Sequence, residues 1–351
     1  MQAINQVLSR NGKNYPPRDI FIARSVIVNA IREFFVKENF LEVETPTLVT
    51  SPDPSPFNEV FKIEGKNLYL TPSPEFFLKK LLAAGLKNIY QMAKAYRDWQ
   101  ENDLLHLSEF TILEWYRTGA DYFDLMVDCE NLINHIQQRL SEKSQNSKVK
   151  CQNQISNAKI LKYQQQQIDL SPPWLRISCK EAFKRYANVN LDEFINIERA
   201  RKICRKRGYQ VEDKNSWEEL YHQLFLNEVE PSFPKDQPLI LYDYPAPLAA
   251  LSQIKKSDPR YAERFEFYIG GLELGNGYSE LTDWHEQEKR LKKDIETRKS
   301  KGMKIFDYDH EFIEALKRGL PQTAGIAVGV DRLIMLFTDS EDIHKITPLS
   351  L

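Results

Sequence analysis

The stretch Gly325-Ile326-Ala327-Val328-Gly329-Val330-Asp331-Arg332-Leu333 is the most specific in the chain. Its pattern predicts a strand that passes directly into an apolar helix ending near Phe337. Small residues at 325, 327 and 329 would let a ligand approach the strand backbone closely. Arg332 opens the helix, where its charge could meet a phosphate. A tightly packed corner, with Arg332 paired to a carboxylate, is the alternative explanation of the same residues.

A second motif begins with Tyr96-Arg97 and continues, after a polar loop, with His106 and Glu109-Phe110-Thr111. The flanking apolar runs predict two antiparallel strands joined at the loop. An arginine at a strand end can hold a phosphate or a carboxylate with its planar guanidinium. An aromatic ring on the returning strand can stack on a base. Taken alone, the motif is better explained by an ordinary hairpin with a surface arginine and a core phenylalanine, because arginines at strand ends are common.

The third motif is Glu273-Leu274-Gly275-Asn276-Gly277-Tyr278-Ser279-Glu280. On an irregular strand its two glutamates could converge on one divalent cation, or one could bind a metal and the other an amine. Gly-Asn-Gly is also a common turn signal, so a turn flanked by two solvated carboxylates is the alternative.

The order of predicted elements indicates an α+β fold with a mostly antiparallel sheet. The chain contains neither a GxxxxGK[ST] loop nor a strand-GxGxxG-helix unit, so P-loop and Rossmann folds are excluded at the motif level. Asn39 stands where the first helix should stop. After glycine, asparagine is the residue that most readily takes the left-handed conformation that ends a helix. Helices are predicted over 18–40, 74–84, 121–140, 284–299 and 310–318, and strands over 41–45, 89–96, 109–115, 239–242, 264–269 and 271–275.

Two regions outside this pattern suggest the domain organisation. Residues 1–18 are predicted to form a polar N-terminal arm, and 19–351 a single large domain. Within that domain, residues 141–168 carry seven Gln, five Lys and one acidic residue. This composition predicts a solvated insertion rather than part of the core.

Composition excludes several classes of protein. The chain has 351 residues, 48 Lys+Arg and 50 Asp+Glu, giving a net charge of −2, which argues against a general nucleic-acid binder. The four cysteines lack metal-ligand spacing, so neither a zinc site nor a disulfide framework is expected. We see no signal peptide and no apolar run of the ~18 residues that span a bilayer, and we expect a cytoplasmic protein without membrane contact.

Counterparts of motifs 1, 2 and 3 of the class II aminoacyl-tRNA synthetases occur in that order along the chain. Glu38-Asn39-Phe40-Leu41-Glu42-Val43-Glu44-Thr45-Pro46 resembles motif 1, with Asn39 in place of the usual glycine. The hairpin around Arg97 resembles motif 2, and the stretch 325–333 resembles motif 3. In that class motif 1 builds the dimer interface, so the resemblance implies a homodimer.

The subgroup is narrowed by further strings. Similarity to lysyl-tRNA synthetases lies in Leu68-Tyr69-Leu70-Thr71-Pro72-Ser73-Pro74-Glu75-Phe76, in 114–116, 273–280 and 321–325. Arg117, 258–266 and Ala327 are more similar to the elongation factor P–lysine ligase family, whose members resemble a truncated lysyl-tRNA synthetase. Motif 1 begins near residue 38, so we expect no anticodon-binding domain in front of it.

This resemblance implies activation of lysine or β-lysine by ATP and transfer to a lysine side chain of elongation factor P. The implied catalytic residues are Arg97 and Arg332. ATP contacts are implied for Arg97, Asp98, Glu101, His106, Phe110, Glu273, Leu274, Gly329 and Arg332. Amino-acid contacts are implied for Ser73, Glu75, Glu114, Tyr116, Asn276, Glu280 and Ala327. Mg²⁺ is implied at Glu273 and, as an alternative to the substrate amine, at Glu280.

Several alternatives remain open from the sequence. The motif 2 loop is one residue longer than the family pattern, which displaces Glu101, and has Leu107-Ser108 in place of Asn-Pro. This departure is the one argument for a catalytically silent binding module. Aminoacylation of a tRNA or a small molecule is a third hypothesis. Ala327 hints at β-lysine without deciding it, and Lys79 and Lys80 are expected on a solvated helix face.

Overall fold

The first long helix shows how local sequence determines the fold. The computed structural model describes residues 16–98, 103–146 and 159–347. Helix α1 (Arg18–Lys37) buries Ile27, Ile31 and Phe35, which recur at helical spacing. It stops where the sequence predicts, because Asn39 takes a left-handed conformation with φ of 59°.

An eight-stranded sheet forms the centre of the molecule, in the order β1-β4-β5-β12-β11-β10-β9-β8. The two edge pairs, β1–β4 and β8–β9, are parallel, and the five pairs between them are antiparallel. The predicted mostly antiparallel α+β fold is therefore confirmed. The strands of this sheet are β1 (Leu41–Glu42), β4 (Ile89–Tyr96), β5 (Glu109–Thr118), β8 (Leu175–Ser178), β9 (Leu239–Pro245), β10 (Tyr261–Ile269), β11 (Leu272–Ser279) and β12 (Thr323–Gly329). Two small antiparallel sheets lie beside it: β2 (Leu48–Val49) pairs with β3 (Tyr69–Leu70), and β6 (Ile160–Tyr163) pairs with β7 (Gln166–Asp169).

The remaining helices pack around this sheet. They are α2 (Glu75–Ala83), α3 (Tyr122–Asn146), α4 (Cys179–Ala187), α5 (Leu191–Phe194), α6 (Ile197–Lys206), α7 (Trp217–Leu224), α8 (Trp284–Ser300), α9 (His310–Arg318) and α10 (Val330–Phe337). Asp283 caps α8 by accepting hydrogen bonds from the backbone N–H groups of His285 and Glu286, as its position predicts. The largest core cluster fills the space between the sheet and α1, α3 and α10. A second cluster lies under α4 to α7.

The segment predicted as a solvated insertion needs a correction. Helix α3 continues to Asn146, and residues 160–169 form the β6–β7 hairpin. Leu161 and Ile168 in this hairpin are fully buried in the main core. A solvated segment is therefore wrong for 160–168, because Leu161, Tyr163 and Ile168 alternate with exposed polar residues on their strands and give one buried face. Residues 147–158 of the expected insertion, like residues 1–15 of the expected arm, lie outside the described ranges.

Two possible turns have different outcomes. Glu64-Gly65-Lys66-Asn67, a sequence typical of a hairpin turn, does form one, with the Ile63 N–H donating to the Leu68 carbonyl at 2.8 Å. Lys62 pairs with Tyr69 of β3 across this turn, and β3 also pairs with β2. Gly275-Asn276-Gly277 is no turn but the middle of β11, paired on both sides. In the part of the chain that is described, no helix is long and apolar enough to cross a membrane.

Candidate functional site

Sheet register brings the predicted amino-acid residues into one row. Glu114 on β5 pairs with Ala327 on β12, which in turn pairs with Asn276 on β11. Because directly opposed residues share a face of the sheet, all three side chains face the same side. Alternate residues of β5, Leu113 and Trp115, point into the core instead. A motif from each of three distant parts of the sequence thus contributes to one surface.

A cleft of about 1460 Å³ lies over this surface of the sheet. Its floor is formed by the three central strands, and α8 forms one wall. The lining includes most of the predicted site residues: Ser73, Glu75, Arg97, His106, Phe110, Glu114, Tyr116, Glu273, Leu274, Asn276, Glu280, Ala327, Gly329 and Arg332. A cleft of this size has room for a nucleotide and an amino acid together.

Arg97 lies at the end of β4, over the ring of Phe110, with 5.2 Å between the guanidinium carbon and the ring centroid. Its Nε is buried and has no hydrogen-bond partner among the described residues. Burial lowers the pKa of Arg97, while the charges of Glu114 and Asp53 act in the opposite direction. A buried N–H group without an acceptor is costly, so this guanidinium is suited to an anionic ligand.

Arg332, in the first turn of α10, is held beside Glu273. Its Nη1 donates to the backbone carbonyl of Glu273 at 2.7 Å and lies 3.7 Å from the Glu273 carboxylate. Its Nη2 is 2.8 Å from Nε2 of His106, whose Nδ1 is 2.5 Å from Asp103. Burial and the charge of Arg332 lower the pKa of His106, which favours a neutral ring that can accept from the arginine. The motif 2 loop therefore contacts the motif 3 arginine directly.

The predicted amino-acid residues form a hydrogen-bonded network at the other end of the cleft. Ser73 donates to Glu114 at 2.6 Å, and the Tyr116 hydroxyl donates to the same carboxylate at 3.2 Å. Ser73 also accepts from the backbone N–H of Glu75 at 3.0 Å, in the first turn of α2. Burial and the nearby charge of Glu75 raise the pKa of Glu114. A buried acidic pocket of this kind is suited to a cationic group.

The prediction of a solvated Lys79 is wrong. Its side chain is 1% exposed, and its Nζ lies 2.6 Å from Glu75 and 2.5 Å from Glu280. Glu75 and Lys79 are one helical turn apart, so their ion pair could have been predicted from the sequence. The contact of Lys79 with Glu280 could not, because these two residues are far apart in the chain. Lys80 is also mostly covered, beside Asp309 at 2.5 Å.

Glu273 and Glu280 lie toward opposite ends of β11 and pair with different cations, Arg332 and Lys79. Seven residues of extended strand span about 20 Å. The option of one metal ion shared by both carboxylates is therefore corrected: apart from a bulge at Leu274, opposite Phe267 and Tyr268 of β10, the strand is extended between them. Among the described residues there is no cluster of three or more candidate metal-ligating side chains.

Glu273 nevertheless has the chemistry of a magnesium ligand beside phosphates. Its side chain is 42% exposed into the cleft. Partial desolvation by the cleft walls and the charge of Glu266 raise its pKa, while Arg332 acts in the opposite direction. Mg²⁺ is usually held by one or two carboxylates together with substrate phosphates and water. A single glutamate close to two arginines fits that donor set.

The remaining predicted residues are placed differently. Asp98 pairs with Lys304 at 3.7 Å, and its backbone N–H donates to the Glu59 carbonyl. The Leu274 side chain is buried in the core. Glu101 lies outside the described ranges. Asn276 accepts a hydrogen bond from Arg264, a buried residue that the sequence patterns did not single out.

Comparison with known proteins agrees with this architecture. Residues 8–350 match the family described as tRNA synthetases class II (D, K and N). The elongation factor P--(R)-beta-lysine ligase of Histophilus somni (strain 2336) is 38% identical over 341 residues, covering 94% of this chain and 94% of the relative. The lysine--tRNA ligase of Legionella pneumophila (strain Corby) is 33% identical over 337 residues, covering 95% of this chain and 64% of the relative. The lysine--tRNA ligase of Chloroflexus aurantiacus is 31% identical over 336 residues, covering 95% of this chain and 65% of the relative. With its motif order, its sheet and this match over nearly its whole length, the chain belongs to the class II tRNA synthetases of the D, K and N group.

Proposed function

We propose that this protein uses ATP to activate lysine or β-lysine and transfers the aminoacyl group to a lysine side chain of elongation factor P. The observation that carries the proposal is the buried acidic network of Glu75, Glu114 and Glu280 in one cleft with Arg97. An ammonium-bearing amino acid fits the acidic end, and anionic groups fit the arginine.

In the proposed reaction, the protein positions the reactants and neutralises their negative charge. The amino-acid carboxylate attacks the α-phosphate of ATP in line, giving an aminoacyl-adenylate and pyrophosphate. Arg97 holds the carboxylate and the α-phosphate close together, which lowers the entropic cost of the reaction and neutralises charge. Arg332 binds the distal phosphate, and Phe110 stacks on adenine. Mg²⁺ bound at Glu273 would neutralise further phosphate charge.

The proposed acceptor follows from how the relatives match. The H. somni ligase and this chain match over 94% of each, whereas the lysine--tRNA ligases are covered to only 64–65% of their length. Charge supports the same choice, since a net charge of −2 provides no general basic excess for an RNA. We place the reaction in the cytoplasm, where elongation factors act.

ATP–pyrophosphate exchange tests the activation step. Purified protein is assayed with a panel of amino acids that includes lysine, (R)-β-lysine, arginine and norleucine. We expect exchange with lysine or β-lysine alone, because only these place a second ammonium in the acidic pocket. Exchange with none of them would contradict the proposal and favour a catalytically silent binding module.

Label transfer then tests the acceptor. Radiolabelled amino acid is incubated with ATP, protein, elongation factor P and total tRNA. We expect label in elongation factor P, at a lysine side chain identified by mass spectrometry. Label in tRNA or in a small molecule would favour the competing aminoacylation hypothesis.

We also propose a homodimer formed through motif 1. Val36 and Leu41, in and just after α1, are 69% and 52% exposed, and Phe123 and Val127 on α3 are 40% and 45% exposed. Helices α1 and α3 pack side by side, so these apolar side chains lie on neighbouring elements. Exposed apolar groups of this kind are typical of protein interfaces.

A further inference from the structure

Lys79 is the buried cation beneath the proposed amino-acid pocket. It lies on α2 with its side chain 1% exposed, and its ammonium contacts one oxygen of Glu75 and Oε2 of Glu280. Lysine is almost never fully buried unless it is paired. Two carboxylates from separate elements therefore hold this one ammonium in place.

The second oxygen of Glu280 has a different environment. Both oxygens of Glu280 are buried and accept no hydrogen bond from the described residues, but the Lys79 ammonium lies beside Oε2. Oε1 instead lies against Gly325 of β12, where a side chain would collide with this oxygen and with the Tyr116 ring. A buried carboxylate oxygen without a donor is costly, because it has lost its hydrogen bonds to water. An ammonium that enters the cleft could remove that cost.

Charge within the pocket also follows a simple balance. Glu75, Glu114 and Glu280 can supply three negative charges and Lys79 one positive charge, while the nearby Asp53 and Arg97 add one charge of each sign and cancel. The remaining two negative charges equal the two ammonium groups of a diamino acid such as lysine or β-lysine, whose carboxylate goes to Arg97. Without Lys79, one carboxylate would have no cationic partner after substrate binding.

We propose that Lys79 is a positioning residue that adapts the pocket to an amino acid with two ammonium groups. It holds Glu75 and one oxygen of Glu280, and it leaves the other oxygen of Glu280 for the side-chain amine of the substrate. This inference rests on the proposed function, and it adds a residue that acts through its neighbours rather than by touching the substrate.

Two carboxylates, those of Glu280 and Glu75, keep Lys79 charged. The titratable groups around it are Glu75 on its own helix, Glu114 and Tyr116 on β5, Tyr278 on β11, Glu280 just after that strand, and Asp53 and Arg97 nearby. Burial alone would lower the pKa of Lys79, but the charges of Glu280 and Glu75 raise it above its usual value. Burial raises the pKa of Glu280, and Lys79 counteracts that rise. Removing Lys79 would therefore favour a protonated Glu280.

The test compares wild type with Lys79→Met in ATP–pyrophosphate exchange. We expect the KM for lysine at pH 7 to rise at least about tenfold, with the KM for ATP within about twofold. The preference for lysine over norleucine, which lacks the side-chain amine, should fall at least about tenfold. Between pH 7 and pH 9 the lysine KM of the variant should decrease more steeply than that of wild type, because Glu280 must lose its proton.

Two further variants serve as controls. Lys80→Met removes the adjacent lysine, which pairs with Asp309 outside the pocket, and should leave the lysine KM unchanged. Lys79→Arg keeps the charge and should recover most of the affinity and the wild-type pH profile. If Lys79→Met does not fold, as judged by circular dichroism, Lys79→Gln replaces it with the same expected changes.

The outcomes separate the two proposals. A variant that lacks the Lys79 charge yet keeps the lysine KM, the norleucine discrimination and the pH profile of wild type would overturn this inference and leave the proposed function intact. Failure of wild type to exchange with any diamino acid would overturn the proposed function, and this inference with it.

Discussion

Arg97 is the residue on which the proposed activation step depends most. Arg97→Ala should reduce ATP–pyrophosphate exchange by at least about a hundredfold, because a charge-stabilising donor is lost from a buried site. The fold should persist, since the guanidinium lies over the Phe110 ring in the lining of the cleft rather than in the apolar core. Lys94→Ala on the same strand, whose side chain is 50% exposed, is the control and should retain activity. Normal exchange by Arg97→Ala would refute the assignment of this residue.

Gly325 is required for the shape of the amino-acid pocket. A Cβ at this position would collide with Oε1 of Glu280 and with the ring of Tyr116. Gly325→Ala should therefore raise the KM for lysine at least about tenfold and lower the melting temperature. At Gly329 the nearest atoms to an added Cβ belong to Arg332 at 3.7 Å, so Gly329→Ala should leave the melting temperature nearly unchanged. Equal melting temperatures and lysine KM values for the two variants would contradict this geometry.

At the scale of elements, Arg298 connects helix α8 to the loop of residues 55–59 beside the cleft. This side chain is fully buried and donates to the carbonyls of Ser55 and Asn58, both at 3.0 Å, and to that of Lys304 at 2.8 Å. The same loop accepts a hydrogen bond from the backbone of Asp98, next to Arg97. Helix, loop and motif 2 are therefore connected.

Replacing Arg298 should destabilise the protein strongly. Arg298→Met leaves buried carbonyls without donors, and we expect the free energy of unfolding to fall by about 3 kcal/mol. Urea denaturation measures this loss. Lys299→Met, at an exposed position of the same helix, should change it by less than about 0.5 kcal/mol. A small loss for Arg298→Met would show that the connection contributes little to stability.

Asp294 gives α8 a pH-dependent contribution to stability. Burial and the charge of Asp53 raise its pKa from 3.8 to about 7. The folded state therefore binds this proton more tightly than the unfolded state, and stability from Asp294 is lost as pH rises toward 7. Relative to Asp294→Asn, the free energy of unfolding of the wild type should decrease by at least about 1 kcal/mol between pH 5 and pH 8. A difference between the two proteins that does not vary with pH, measured by urea denaturation, would contradict this.

At the scale of the whole molecule, the proposed dimer predicts a change in mass. Light scattering should give twice the chain mass for wild type. Val127→Glu places a charge among the exposed apolar side chains of α1 and α3, and it should give a monomer. Leu226→Glu, at a position that is 56% exposed and away from those helices, should remain dimeric. A monomeric wild type, or a dimeric Val127→Glu, would exclude this interface.

The sequence by itself determined the type and order of most elements. Alternating and helical patterns of apolar residues predicted β4, β5, α9 and the passage from β12 into α10. These predictions succeed because the spacing of buried residues in a strand or helix is set within that segment. The three motifs predicted the family, which residues 8–350 match. Composition failed at 160–169, because the number of glutamines concealed the apolar face of a short hairpin.

Only the tertiary structure decided which charges meet. The pairing of Lys79 with Glu280 and the row from Glu114 through Ala327 to Asn276 depend on strand register and helix packing. These contacts join residues that are far apart in sequence. No local pattern encodes them, since the energy of a buried charge depends on which partner lies within a few ångströms of it.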